Sequence, residues 1–113
     1  METTELEKGK SHIIVEIIEY VPDAVVCRTI IKKATGTVTA TSFDEGEELA
    51  EKSIPYDNYV QIIDGAAELT IGQKNYKLRL GEGIVIPANA RHCLTANVQF
   101  KMLSTIIKSS YED

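Results

Sequence analysis

With 113 residues, of which 43% are hydrophobic and 26% charged, the chain has the length of one domain and the composition of a folded globular protein. Its formal net charge of −5 and its scattered lysines and arginines argue against a nucleic-acid partner, because phosphate contacts need clustered basic side chains. No apolar run approaches the ~20 residues that a helix needs to cross a bilayer, and the polar N-terminus lacks the apolar core of a signal peptide. We therefore expect no membrane partner and a cytoplasmic location.

The first third of the chain combines a polar arm with two apolar segments. Residues 1–9 are polar and are predicted to be a loosely attached arm. The segment HIIVEIIEY, residues 12–20, is rich in β-branched side chains, but its isoleucines also have the spacing of one helical face. We favour an extended conformation, because β-branched residues are enriched in strands. After a turn at Pro22, residues 24–31 form the next predicted strand.

From residue 37 onwards, predicted strands alternate with turns. Clusters of Gly, Pro, Asn and Asp recur about every 8–12 residues, and no helix is predicted after residue 21. The predicted strands are residues 37–43, 48–54, 59–64, 67–71, 76–80, 84–86, 94–95 and 100–107. This pattern indicates an all-β antiparallel sandwich or barrel. Within a single domain, residues 1–113, we separate an N-terminal arm with the first strands, residues 1–36, from a barrel core, residues 37–113.

One stretch, GEGIVIPANARHC from Gly81 to Cys93, has the most informative local pattern. Its apolar residues are predicted to form a strand that ends at Pro87, because proline has no amide hydrogen for the sheet ladder. Asn89 suits a left-handed conformation that most other side chains resist. The turn therefore delivers His92 to the start of the following strand.

This stretch and an earlier one resemble the two sequence motifs of the cupins. The second cupin motif is a glycine, a proline, a small turn residue and a histidine, and the matching residues here are Gly81, Pro87, Asn89 and His92. The first motif is a glycine, His-x-His, a proline, a glutamate and a closing glycine, and the residues that match its frame are Gly46, Pro55 and Gly65. The resemblance covers residues 37–107. It implies a cupin-type jelly-roll barrel, also called a double-stranded β-helix.

The resemblance also bears on metal binding. In cupins, two histidines and the glutamate of the first motif join the histidine of the second motif around a divalent metal. The matching positions in this sequence are Lys52, Ile54, Asn58 and His92. A protonated ammonium and an alkyl chain donate nothing to a metal, and an amide oxygen is a weak neutral ligand. We therefore expect no cofactor, and a bound Fe, Mn, Ni or Zn would have His92 as its remaining ligand.

Four residues are the candidates for a ligand pocket: Lys52, Asp57, Asn58 and His92. His92 could be a general base, a hydrogen-bond anchor for a ligand, or a buried histidine that a hydroxyl or carbonyl group satisfies. Lys52 could pair with an anionic ligand or extend its ammonium into solvent from a strand end. Asp57 lies next to the glutamate position, and a bend at Pro55 could rotate it inwards. No catalytic residue is assigned.

Two functional hypotheses follow. The first is a small-molecule-binding or sensor-like module without the usual metal centre, because the residues that shape the barrel remain while the metal ligands do not. The alternative is a metal-dependent or general-base enzyme, similar to dioxygenase, isomerase or decarboxylase cupins, that uses His92 with Asp57 and Lys52. The sequence does not identify the small-molecule ligand.

Two further expectations concern association and the cysteines. Small cupins commonly dimerise through their N-terminal strands, and an exposed apolar strand edge invites pairing, so we predict a homodimer. Cys27 and Cys93 are far apart in the sequence, show no CxxC spacing and are predicted to be reduced core residues.

Overall fold

The computed structural model describes residues 5–108, which contain nine β-strands and one turn of 3-10 helix. The strands are β1 (Val25–Lys33), β2 (Gly36–Phe43), β3 (Glu48–Lys52), β4 (Asp57–Gly65), β5 (Ala67–Ile71), β6 (Lys74–Leu78), β7 (Gly83–Ile86), β8 (His92–Thr95) and β9 (Phe100–Ile107). They form a five-stranded sheet, ordered β1-β2-β9-β4-β7, and a four-stranded sheet, ordered β3-β8-β5-β6. All paired strands are antiparallel, as in the jelly-roll barrel that the sequence predicts. No helix in these residues is long and apolar enough to cross a bilayer.

The hydrophobic core lies between the two sheets. Phe43 of β2 and Phe100 of β9 are fully buried register partners, and their stacked rings have centroids 4.4 Å apart. Val60 and Ile62 of β4 and Leu69 of β5 belong to the same buried cluster. Burying each large apolar side chain contributes about 1.5–3 kcal/mol. The cluster therefore fixes which face of each strand points into the barrel, because a one-residue slip would expose it.

Most predicted strands are confirmed, two of them to the residue, namely β5 and β9. The strand predicted at residues 76–80 instead runs from Lys74 to Leu78. The reason is the hairpin before it, in which Ile71 already pairs with Lys74 across a two-residue turn. Gly72 has a φ of +61° in that turn, the left-handed conformation that tight hairpins favour.

The turn after β7 has the predicted conformation. β7 ends at Ile86, directly before Pro87, and Asn89 has a φ of +69°. The Asn89 amide donates a hydrogen bond of 2.6 Å to the carbonyl of Ile54. This bond ties the turn of the second motif to the loop after β3, which belongs to the first motif.

The prediction of an extended strand at residues 12–20 is wrong. Ile14–Glu16 form the 3-10 turn, and the segment crosses the outer face of the five-stranded sheet. Side chains of β1, β2, β9 and β4 hold it there through four hydrogen bonds: Arg28 to the carbonyl of Ile17, Ser42 to that of Glu19, Lys101 to that of Val15, and Tyr20 to the carboxylate of Asp64. Because Arg28, Ser42 and Lys101 donate to three backbone carbonyls of the segment, those carbonyls need no strand ladder.

The N-terminal segment also shields the side chains beneath it. Ala40 and Ser42 point away from the core, yet both are fully buried, and Ile18 of the segment is buried with them. Burial and the hydrogen bond to Asp64 raise the pKa of Tyr20 well above its ordinary value. Residues 12–20 therefore pack on their own barrel, and a homodimer stays a prediction that no longer rests on an unpaired apolar strand.

The two cysteines are free, but they are not core residues as predicted. Cys27 lies on β1, the edge strand of its sheet, and its side chain is exposed. Cys93 lies between His92 and Leu94, which point into the barrel. Strand alternation therefore turns Cys93 outwards, where it is half-buried.

Candidate functional site

A cavity of about 250 Å³ lies between the two sheets, beside the edge strands β1 and β3. Its apolar lining consists of Val25, Leu49, Ile54, Ile86, Leu94, Met102 and Ile106. Its polar lining consists of Cys27, Thr39, Thr41, Lys52, Asn58, His92 and Ser104. The volume is slightly below the ~300–1,000 Å³ that is usual for ligand pockets. The cavity therefore suits a small molecule and combines an apolar wall with convergent polar groups.

Three of the four predicted pocket residues line this cavity together: Lys52, Asn58 and His92. Lys52 of β3 and His92 of β8 are register partners in the four-stranded sheet. Asn58 belongs to β4 of the five-stranded sheet. The two motifs thus supply side chains to one cavity from both of its walls.

His92 is only 3% exposed, and its ring is oriented by the backbone. Its Nδ1 donates to the carbonyl of Ala90 at 3.1 Å. A carbonyl oxygen can only accept, so the neutral ring carries its proton on Nδ1 and has a lone pair on Nε2. Within residues 5–108, no fully buried side-chain nitrogen or oxygen lacks a hydrogen-bond partner. Since Nε2 has no protein partner in those residues, it must border open space, and the space that His92 lines is the cavity.

Asn58 is 8% exposed and is oriented by Ser104 of β9. The Ser104 hydroxyl donates to Asn58 Oδ1 at 2.6 Å. That distance is typical of an O–H donor and shorter than the usual ~2.9–3.0 Å of an N–H donor, which supports this orientation of the amide. The Asn58 Nδ2 group has no partner among the described residues, and by the same argument it borders the cavity. Asn58 therefore offers N–H donors where His92 offers an acceptor.

Lys52 is the one charged residue of the lining, and it lies at the mouth of the cavity. Its side chain is exposed at the end of β3. Lys52 forms no ion pair within residues 5–108, while the neighbouring Glu51 pairs with Arg91 at 3.1 Å. The mouth of the cavity is therefore positively charged.

Asp57, the fourth candidate, does not line the cavity, so the bend at Pro55 does not rotate it inwards. Asp57 is exposed, and its Oδ1 accepts a hydrogen bond of 2.9 Å from the backbone amide of Ala88. β4 already begins at Asp57, so regular alternation points Asn58 inwards and Asp57 outwards. Asp57 instead holds the turn of the second motif against the start of β4.

Sequence reasoning missed several polar residues of the cavity, including Cys27, Thr41 and Ser104. Thr41 donates a weak hydrogen bond to the Cys27 sulfur at 3.8 Å. One available signal was the alternation of side chains along β9, because Ser104 follows Phe100 by four residues and therefore shares its inward face. Cys27 and Thr41 could be placed only once their register pairing across β1 and β2 was known.

Comparison with solved structures gives the family. A conserved protein of unknown function from Streptococcus pyogenes is 31% identical, with 98% of each chain covered and a TM-score of 0.89. A cupin superfamily protein from Desulfitobacterium hafniense has a TM-score of 0.87 at 20% identity, covering 96% of this chain and all of that one. A cupin 2 conserved barrel domain protein from Leptotrichia buccalis has a TM-score of 0.80 at 30% identity, covering 83% of this chain and 46% of that one. The chain is a cupin.

The comparisons assign this cupin no activity. No protein-family model matches the sequence, and no curated protein matches it. The similarity to the Streptococcus pyogenes protein extends over the whole chain, but that protein is itself described as having unknown function. The function must therefore be argued from the cavity.

The donor set of this cupin does not fit a divalent metal. All four positions that correspond to metal ligands in the family, Lys52, Ile54, Asn58 and His92, line the same cavity. Of their side chains, only the imidazole is a good ligand, since the Asn58 oxygen already accepts from Ser104. Within residues 5–108, no three His, Cys, Asp or Glu side chains are grouped so that they could hold a metal ion. The four positions therefore meet at one cavity, but three of them carry no good metal ligand.

Proposed function

We propose that this cupin binds a small molecule in its barrel cavity and does so without a metal centre. The observation that carries the proposal is the composition of the cavity. Where the family resemblance implies four metal ligands, this chain has a cation at the mouth, an apolar side chain, an oriented amide and an oriented imidazole: Lys52, Ile54, Asn58 and His92. Oriented polar groups on an apolar wall are the usual features of a ligand site.

The size of the cavity supports binding over a purely structural role. Protein interiors are close-packed and contain few voids larger than a water molecule. A space of about 250 Å³ with polar atoms facing into it is therefore unusual for a core that serves only to stabilise the barrel. Filling such a space with a ligand would restore both the packing and the hydrogen bonds.

A binding screen with a blocked variant tests the proposal. The untagged protein, purified without chelator, is analysed for metals and then screened by ligand-observed NMR against a library of small fragments. We expect less than about 0.1 equivalent of any bound transition metal. We also expect hits whose binding Ile54→Trp removes, because the indole would fill the cavity from its rim. Leu80→Trp is the matched control, since Leu80 is 64% exposed and lies outside the lining. About one equivalent of tightly held metal would refute the proposal.

A second candidate function is general-base catalysis by His92. The observation that favours it is the Nε2 lone pair, which borders the cavity while Nδ1 is held by Ala90. A neutral imidazole so placed can take a proton from a bound hydroxyl or carbon acid. Asp57 has no part in this version of the enzyme hypothesis, because its carboxylate bonds the Ala88 amide outside the cavity.

The two functions are separated by what happens to a bound compound. Each hit from the screen is incubated with the protein in deuterated water and followed by mass spectrometry and NMR. A binding module returns the compound unchanged, whereas a general base exchanges or converts it. His92→Gln should abolish any such exchange, while the wild-type rate persists in Asp57→Asn.

A further inference from the structure

The polar groups of the cavity restrict the chemistry of its ligand. Ser104 donates to Asn58 Oδ1, which leaves the two N–H groups of Nδ2 to face the cavity. Nδ1 of His92 donates to Ala90, which leaves Nε2 as an acceptor. A matching ligand therefore presents an acceptor to Asn58 and an O–H or N–H donor to His92, because a buried polar group without a partner costs binding free energy.

The charge of the cavity restricts the ligand further. None of the lining residues is acidic, and Lys52 is the one charged group among them. Acidic side chains near the mouth are engaged elsewhere, since Glu51 pairs with Arg91 and Asp57 bonds the Ala88 amide. An unpaired cation at a cavity mouth favours an anionic group on the ligand and disfavours a cationic one.

The remaining wall determines the body of the ligand. Leu49, Ile86, Leu94 and Met102 line the cavity on both sheets. Because the volume is about 250 Å³, the apolar body is small. An apolar body, one O–H or N–H donor and one anionic acceptor together describe a narrow set of compounds, of which a small hydroxy acid is the simplest.

We propose that the ligand is a small hydroxy acid, whose hydroxyl donates to His92 Nε2 while its carboxylate accepts from Asn58 Nδ2 near the Lys52 ammonium. The inference rests on the proposed function and adds the chemical class of the ligand. Ser104 enters it as a positioning residue, because its hydroxyl decides which end of the Asn58 amide faces the ligand.

Matched probes test each contact separately. Titration calorimetry in the presence of EDTA compares mandelate with mandelamide, which replaces the carboxylate by an amide, and with phenylacetate, which lacks the hydroxyl. The same comparison is made with 2-hydroxy-4-methylpentanoate, its carboxamide and 4-methylpentanoate, which carry an isobutyl group in place of the phenyl ring. This second series covers the case in which the phenyl ring does not fit the cavity. In at least one series, we expect the hydroxy acid to bind about tenfold or more tightly than either analogue, because each analogue leaves one cavity group unpaired.

Variants then assign the preference to residues. Asn58→Asp is nearly isosteric and replaces the N–H donors by an acceptor, so it should weaken the hydroxy acid about tenfold or more and reverse the preference towards the carboxamide. Ser104→Ala should reduce the discrimination between acid and amide without abolishing binding, because the Asn58 amide becomes free to flip. His92→Phe should remove the preference for the hydroxyl. Lys52→Met should weaken the acid several-fold, and Lys74→Met, at the exposed β5–β6 hairpin, should not.

The outcomes separate this inference from the proposed function. Cavity hits that are neutral or cationic, and that Asn58→Asp and Lys52→Met leave unchanged, would overturn the hydroxy acid while the binding function stands. No cavity hit in the fragment screen and no binding in either series would overturn both. A hydroxy-acid preference that Asn58→Asp reverses supports both.

Discussion

The two motif regions of this cupin retain different parts of their pattern. The second region keeps its glycine, proline, turn asparagine and histidine, whereas the first keeps its glycines and proline and has lost all three metal ligands. Both regions nonetheless direct their inward side chains to the same cavity, where Lys52 and Asn58 meet His92. The backbone frame of the barrel therefore does not depend on the metal-ligating side chains that the family places on it.

The frame of the first region depends most on Gly65. Gly65 has a φ of +71°, and a Cβ there would lie 2.0 Å from the backbone carbonyl oxygen of Gln99. Gly65→Ala should therefore cost more than about 3 kcal/mol, because a backbone clash adds to the left-handed strain. Urea denaturation measures this loss, unless the variant fails to fold.

Gly46, at the other end of the same motif, is the control for Gly65. It has a φ of +89°, but a Cβ there would meet nothing within 4 Å. Gly46→Ala should cost only the left-handed strain of about 1–2 kcal/mol. Equal losses of stability for the two variants would show that the close approach of the Gln99 carbonyl is not what requires glycine at position 65.

Restoring the metal-ligating side chains tests whether the backbone frame of the first motif can still position a metal site. The triple variant Lys52→His, Ile54→His, Asn58→Glu, together with His92, should bind about one equivalent of Zn²⁺ or Mn²⁺, because all four positions line one cavity. At free metal 100 times the dissociation constant, this binding would stabilise the variant by about 2.7 kcal/mol. Metal analysis and thermal unfolding with and without EDTA measure both effects. The variant with Asn58→Glu alone is the control, and a triple variant that folds but binds no metal would show that the frame has changed with its ligands.

The Ser104–Asn58 pair tests how firmly the first region holds its remaining polar side chain. Ser104→Ala removes the donor to Asn58 Oδ1 in a buried site and should cost about 1–2 kcal/mol. Ser53→Ala is the control, because Ser53 is exposed and makes no side-chain hydrogen bond within the described residues. Chemical denaturation of both variants measures the difference, and a cost for Ser104→Ala no larger than that for Ser53→Ala would contradict the assigned role.

The fold could be predicted from the sequence because its determinants are local. The positions of glycine and proline located the turns, and runs rich in β-branched residues located the strands, so that β9 was predicted to the residue. Asn89 has the predicted left-handed conformation for the same local reason. The segment at residues 12–20 was mispredicted because its conformation depends on hydrogen bonds to side chains of four distant strands, among them Arg28 and Lys101.

The site could be predicted only as far as motif spacing reaches. Spacing brought Lys52, Asn58 and His92 to one place, and the structure groups them around one cavity. A bend at Pro55 could have turned Asp57 inwards, but β4 begins at Asp57, two residues before the predicted strand, and regular alternation from there points Asp57 outwards. Cys27 and Thr41 depend on the pairing of β1 with β2, which no local pattern encodes. What sequence reasoning lacked was therefore register across strands, since register decides which side chains share a face.

The smallest effect concerns the turn that leads into the first region. Asp44 accepts hydrogen bonds from the amides of Asp23 and Glu45 and from the side chain of Gln99, at 2.7, 2.9 and 3.0 Å. The amide of Asp23 is the largest cause that lowers the pKa of Asp44, followed by Gln99 and Glu45. Because the folded-state pKa is lowered, this contribution is present above the unfolded pKa of about 3.9 and is lost as the pH falls through the folded value.

Asp44→Asn should therefore unfold with a shallower dependence on pH below about pH 4 than the wild type, and the difference between the two proteins should shrink as the pH falls. Urea midpoints measured between pH 5 and pH 3 give the slopes. Glu48→Gln is the charge-matched control, since Glu48 is exposed and makes no side-chain hydrogen bond or ion pair within residues 5–108. If both variants reduced the pH dependence of the urea midpoint equally, net charge rather than the three hydrogen bonds would be the cause. A selective effect of Asp44 would show that the first region, although it has lost its metal ligands, still uses a carboxylate to hold its entry turn to the chain before β1 and to the turn before β9.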